Sequence, residues 1–185
     1  MRSRCADGWL GLVLVALLWS GSVVPATAEE KWGPFRGRVV DAETGQPIQG
    51  AVALMTWLKL VYAVIQTNTE FYDAREAVSG PDGTFEIPRL TPPFFRFNII
   101  TYGPKIFAPG YAEHRWVVTP PTGEALVDPT VVEMQPLKTR EERLNALSRA
   151  SPLTSVPLEK MCLYIQAQNR EARNLGLGAL PECPK

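Results

Sequence analysis

Two stretches decide the fold: FRGRVVDAETGQPIQGAVALMTW over Phe35–Trp57, and EAVSGPDGTFEIP over Glu76–Pro88. Phe35, Gly37 and Val39 alternate with Arg36, Arg38 and Val40, as in a strand buried on one face. Thr44-Gly45 and Pro47 then break the run. Glycine reaches positive φ at little steric cost, and proline fixes its own φ while donating no hydrogen bond. After Gly50 comes a second strand rich in apolar and β-branched residues, Ala51 to Trp57. Pro81-Asp82-Gly83 is a turn with a mechanism, since proline suits position i+1 and glycine relieves the strain that follows. Phe85 and Ile87 then share one face, with Thr84 and Glu86 on the other. On residue chemistry alone this is an antiparallel β-protein with ordinary turns.

The pattern G-R-V-V-D-A-E-T-G-Q-P-I-Q-G-A-V (Gly37–Val52), followed by S-G-P-D-G-T-F-E-I-P (Ser79–Pro88), resembles the carboxypeptidase regulatory-like domains. The P-x-x-F-A-P-G-Y stretch at Pro104–Tyr111 looks like a later sheet segment and turn of the same family. The resemblance covers roughly residues 32–137 and implies an antiparallel, transthyretin-like β-sandwich of about seven strands. It also implies a structural or interaction module, because members use the domain beside others rather than for chemistry. One departure from the pattern is the segment of about two dozen residues from Trp57 to Ala77, more than a tight hairpin needs.

Outside this block the chain divides into a leader at residues 1–28 and a tail at residues 138–185. Arg2 and Arg4 form a short positive region, Trp9 to Trp19 is an apolar run, and Ala26-Thr27-Ala28 matches a signal-peptidase site. The expectation is export to a periplasm or extracellular space, with cleavage near Ala28. A retained anchor is the alternative, although its apolar core is short for a membrane span and is interrupted by Gly21 and Pro25. Removing Arg2, Arg4 and Asp7 leaves 17 basic against 18 acidic residues. Such near neutrality argues against a nucleic-acid partner or an anionic membrane surface. An exported chain meets an oxidising compartment, and two cysteines remain, Cys162 and Cys183. One disulfide is the simplest account of them. Cys5 precedes the apolar run and is incidental.

The segment around Trp57, Tyr62, Phe71 and Tyr72 mixes aromatic and polar residues. Leu58, Leu60, Val61, Val64 and Ile65 read as helix or as extended strand, and a lengthened strand with an irregular excursion is expected. The four aromatics serve either core packing or a ligand or partner surface. Phe95, Phe97 and Ile99 alternate as a strand, as do the residues from His114 to Thr119, and Val131–Met134 is the expected last strand. After Pro136 the pattern changes to helix. Thr139-Arg140-Glu141-Glu142 fits a capping box. A second helix is expected from Pro157, with Leu158, Met161, Cys162, Ile165 and Ala172 at helical spacing and Gly176 and Gly178 as stop signals. That stripe is expected to dock on the sandwich.

Catalytic constellations are missing from the sequence. His114 is the only histidine, and no H-x-x-E or H-E-x-x-H zinc spacing occurs. Hydroxyisourate hydrolase, an enzyme that shares the transthyretin-like fold, relies on several histidines and a C-terminal Tyr-Arg-Gly-Ser that this chain lacks. Asp41, Glu43 and Asp82 suggest a weak calcium site, but Asx-turn chemistry explains them more simply. No cofactor is expected. The leading expectation is a non-catalytic exported module of the cell envelope, with another envelope protein as partner. A carbohydrate or small-ligand binder using the aromatics of residues 57–72 is the alternative. An enzyme using acidic residues ranks last.

Overall fold

The computed structural model describes residues 32–62, 67–91, 93–94, 98–115, 130–150, 156–178 and 183. In chain order these form β1 (Phe35–Asp41), β2 (Val52–Tyr62), β3 (Thr67–Val78), β4 (Thr84–Ile87), β5 (Ile99–Phe107), β6 (His114–Arg115) and β7 (Thr130–Met134). The helices α1 (Arg140–Arg149) and α2 (Cys162–Asn174) follow, with a short 3-10 turn at Leu158–Lys160 between them. The architecture is mainly β, with two sheets and two helices. One sheet runs β4-β1-β7 and the other β3-β2-β5, extended by the two-residue β6.

The turns form where local chemistry demands them. Asp41 Oδ1 accepts from the N–H groups of Glu43 and Thr44 at 2.8 and 2.9 Å, an Asx-turn that ends β1. Gly83 follows Pro81-Asp82 at φ +79, and an added Cβ would lie 2.4 Å from the Val39 carbonyl oxygen. Only glycine permits that approach, which lets Val39 N–H donate to Gly83 O at 2.9 Å. Buried Ser79 joins the two signature stretches. Its hydroxyl accepts from Ala51 N–H at 2.9 Å and donates to Ile48 O at 2.6 Å.

The sheets pack face to face. Phe35, Val39 and Ile87 from the first meet Met55, Trp57 and Ile106 from the second in one buried cluster. A second cluster lies on the far side of the second sheet, where Val52, Leu54 and Phe107 pack against Tyr164, Ile165 and Ala167 of α2. Strand β2 is therefore buried on both faces. Each such large apolar side chain contributes about 1.5–3 kcal/mol relative to exposure.

Three expectations are corrected. The segment Trp57–Ala77 is not an irregular excursion, because Leu58–Tyr62 prolongs β2 and Thr67–Val78 is a full strand paired antiparallel with it. Antiparallel pairing is not universal either, for β1 and β7 run parallel, Gly37 opposite Thr130 through Asp41 opposite Met134. A parallel partner needs a long crossover rather than a hairpin, and β7 stands far along the chain from β1. Third, Leu158 is 37% exposed, whereas Met161 and Ile165 are buried. The first two helical-stripe positions differ because α2 starts at Cys162, so Leu158 lies in the preceding 3-10 turn. The leader with its cleavage site, the strand positions Phe95 and Phe97, and Trp116 to Thr119 lie outside the described residues.

Candidate functional site

The β2–β3 hairpin outruns the rest of its sheet. Strand β5 pairs with β2 only as far as Lys59, opposite Ile99. One further tie closes this end: Leu60 N–H donates to Asn98 O at 2.7 Å, and Asn98 Nδ2 returns a bond to Leu60 O at 3.1 Å. Beyond it only β3 accompanies β2, Val61 opposite Asn68 and Tyr62 opposite Thr67. Side chains alternate along β2, so Leu58, Leu60 and Tyr62 share the face that α2 covers lower down. Tyr62 is 70% exposed at the end of this arm.

The four aromatics of the candidate surface do not lie together. Trp57 is fully buried between the sheets, its ring centroid 6.1 Å from that of Phe35. It takes no part in any surface, because β2 is covered on both sides where Trp57 stands. Phe71 is half-buried against the second cluster, opposite Leu58. Tyr72 sits where the register shifts between Trp57 and Leu58, and is 37% exposed. A bulge adds a residue to one strand and re-aims its side chains. Tyr62 and Tyr72 are thus the pair that reaches solvent.

Buried charge is concentrated where the helices dock. Glu171, almost fully buried on α2, accepts from Arg143 of α1 at 2.6 Å. Lys105 Nζ on β5 lies 3.5 Å from Glu113 Oε1, the oxygen that also accepts from the Tyr164 hydroxyl. Gln168 Nε2 donates to Ala150 O, and Arg140 Nη2 to Leu175 O at 3.1 Å. Met161 gives α2 no side-chain cap. Glu76 of β3 supplies one instead, accepting from Leu163 and Tyr164 N–H at 2.9 and 2.7 Å. Burial pushes the Glu76 carboxyl above its ordinary value, and the two helix N–H groups oppose that shift. None of these supports was foreseen, since Glu76 and its acceptor sites stand 87 and 88 residues apart.

The helix ends were legible. Thr139 Oγ1 accepts from Glu142 N–H at 3.1 Å while Glu142 Oε2 accepts from Thr139 N–H at 3.0 Å, a reciprocal capping box. At the end of α2, Gly176 at φ +71 lets Leu177 N–H reach Ala172 O and Gly176 N–H reach Arg173 O.

The acidic turn residues are occupied by local bonds. Asp41 Oδ2 accepts from the Tyr111 hydroxyl at 3.0 Å, and Glu43 pairs with Lys138 at 2.6 Å. Asp82 Oδ1 takes both the N–H and the hydroxyl of Thr84. The Thr44 N–H foremost holds Asp41 below the usual carboxylate range, and the Thr84 hydroxyl does the same for Asp82. Among the described residues, no group of three histidine, cysteine or acidic side chains is placed to hold a metal ion. Cys162 at the start of α2 is bonded to Cys183, with Cα atoms 5.6 Å apart. No protein-family model, curated protein or solved structure matches the chain.

Proposed function

We propose that this protein is an exported, non-catalytic interaction module of the cell envelope, built on a seven-stranded, transthyretin-like sandwich of the carboxypeptidase regulatory-like kind. The observation that carries the reading is the β2–β3 arm, a regular two-stranded extension that ends in the exposed Tyr62. An aromatic ring on a rigid element offers large contact area at low entropic cost, which suits protein recognition. The buried ionic groups support the same reading, since they bind the helices to the sheet. The disulfide is compatible with export.

A photo-cross-linking side chain installed at Tyr62 or Tyr72 in the exported full chain tests this. Discrete adducts at these two positions, and none at the exposed Glu86 on the other sheet, are expected. Equal labelling at all three positions would sink it. So would a measured turnover that survives removal of both tyrosines. The glycan-binding alternative rests on the same Tyr62 and Tyr72, with Trp57 removed from its platform. Shifts of the two tyrosine ring resonances on titration with oligosaccharides would favour it over a protein partner.

A further inference from the structure

Two clefts flank the exposed face of α2, and the same two arginines line both. The first, of about 500 Å³, is walled by Val52, Val78, Leu163 and Ile165. The second, of about 480 Å³, is walled by Pro47, Ile48, Ala108, Pro109 and Tyr111. Arg170 and Arg173 form the ridge between them. Each cleft is of a size that holds one or two side chains or a small ligand.

The ridge is rich in donors. Gln166, Arg170, Arg173 and Asn174 fall at i, i+4, i+7 and i+8, on one side of the helix, and all four are exposed. No carboxylate stands among them. The one acidic residue of α2, Glu171, turns the other way into Arg143, and Glu76 is held at the opposite end of the helix by Leu163 and Tyr164. Arg170 spends one nitrogen on Gly50 O at 3.3 Å, which leaves the rest of its fork available. A cation in the last turn complements the helix dipole, which accounts for Arg173 alone. It accounts neither for Arg170, a turn earlier, nor for apolar walls on both sides of the ridge.

We propose that the Arg170–Arg173 ridge and its two clefts bind an extended acidic peptide segment of a partner protein, an aspartate or glutamate lying across the guanidiniums and an apolar side chain entering each cleft. This rests on the interaction-module reading and names the chemistry of the partner. Arginine suits a carboxylate because its planar fork makes two parallel bonds. A small anion would engage the ridge and leave the apolar walls empty, whereas a chain crossing the ridge uses all three surfaces.

The test is fluorescence anisotropy on the full chain with a labelled peptide whose centre reads Leu-Asp-Leu. Saturable binding is expected. Arg170→Gln with Arg173→Gln, or asparagine for the aspartate of the probe, should each weaken it by about tenfold or more. Arg36→Gln on the other sheet should leave it unchanged. Both ridge residues are exposed, so melting temperatures are expected to match the wild type, and circular dichroism verifies the fold of each variant. Absence of saturation, equal affinity of the double variant, or equal affinity of the asparagine probe would overturn the proposal. Inorganic phosphate or succinate displacing the probe at the probe's own affinity would also overturn it, by showing a small-anion site. Specific cross-links at Tyr62 without peptide binding at the ridge would remove this site and leave the broader interaction reading standing.

Discussion

Arg143 grips Glu171 through two parallel bonds, Nε to Oε1 at 2.6 Å and Nη2 to Oε2 at 2.7 Å, and so fastens α1 to α2. The Glu171 side chain is 3% exposed and that of Arg143 27%. Removing the arginine strands a carboxylate in a poorly solvated place. Arg143→Met is expected to destabilise by about 2–4 kcal/mol, less than for a fully buried pair because the guanidinium is partly wet. Combining it with Glu171→Leu should recover most of the loss. Urea unfolding of the three variants checks this, and a single variant within about 0.5 kcal/mol of wild type would refute it.

Gly83 and Gly45 both hold positive φ, +79 and +69, but only Gly83 is enclosed. A Cβ at Gly83 would meet the Val39 carbonyl oxygen at 2.4 Å and Pro47 Cβ at 3.1 Å, while one at Gly45 meets nothing within 4 Å. Gly45→Ala should therefore cost only the left-handed backbone term, about 1–2 kcal/mol. Gly83→Ala must also push the two sheet turns apart, and is expected to cost at least about 3 kcal/mol. Equal midpoints for the two variants in urea would show that the turn at Gly83 yields more readily than its packing indicates.

Local chemistry was legible in the sequence, and distant pairing was not. The Pro81-Asp82-Gly83 turn, the Thr139–Glu142 box and the Gly176 stop each depend on residues within a few positions of one another. Strand β3 escaped because Thr67–Glu70 is exposed throughout and carries no apolar alternation. Its regularity comes from β2, not from its own pattern. Trp57 was open to misreading for the opposite reason, since a strand buried on both faces is apolar at every position and does not reveal which side chain points where. The Glu76 cap and the Lys105–Glu113–Tyr164 cluster join residues that no spacing rule connects.

His114 provides a pH signature. Burial lowers its pKa from 6.5, so the unfolded chain binds a proton in a window just below 6.5 that the folded chain does not. Stability from this residue is fully present above that window and falls as the pH descends through it. Glu76 has the opposite sign: its carboxyl is raised above 4.5 by burial, so its contribution is lost as pH rises through the folded value. Comparing wild type with His114→Gln cancels the Glu76 effect, which both share. The variant should show a flatter stability profile below pH 6.5 and the same profile above it. Identical slopes would show that His114 does not sense folding.

The last expectation concerns the bond between Cys162 and Cys183, which closes a loop with a sequence separation of 21. Constraining a loop of that length contributes about 3 kcal/mol in the chain-entropy account. For a chain of this size that corresponds to a melting shift of about 6–12 °C at most. The bond fastens the tail to the first turn of α2, whose Met161 and Ile165 are buried against the second sheet. Cys183→Ser should therefore melt several degrees lower in oxidising buffer, with the β-signal intact below the transition. In reducing buffer the variant and the wild type should melt together, because the wild type has then lost the same constraint. Cys183 also lines the first cleft beside Arg173, so peptide binding should weaken in parallel if the bond holds that wall in place. Mapping without reduction should recover the linked pair of peptides. Free thiols at both positions, in protein recovered from the exporting compartment, would refute the bond and with it the melting difference.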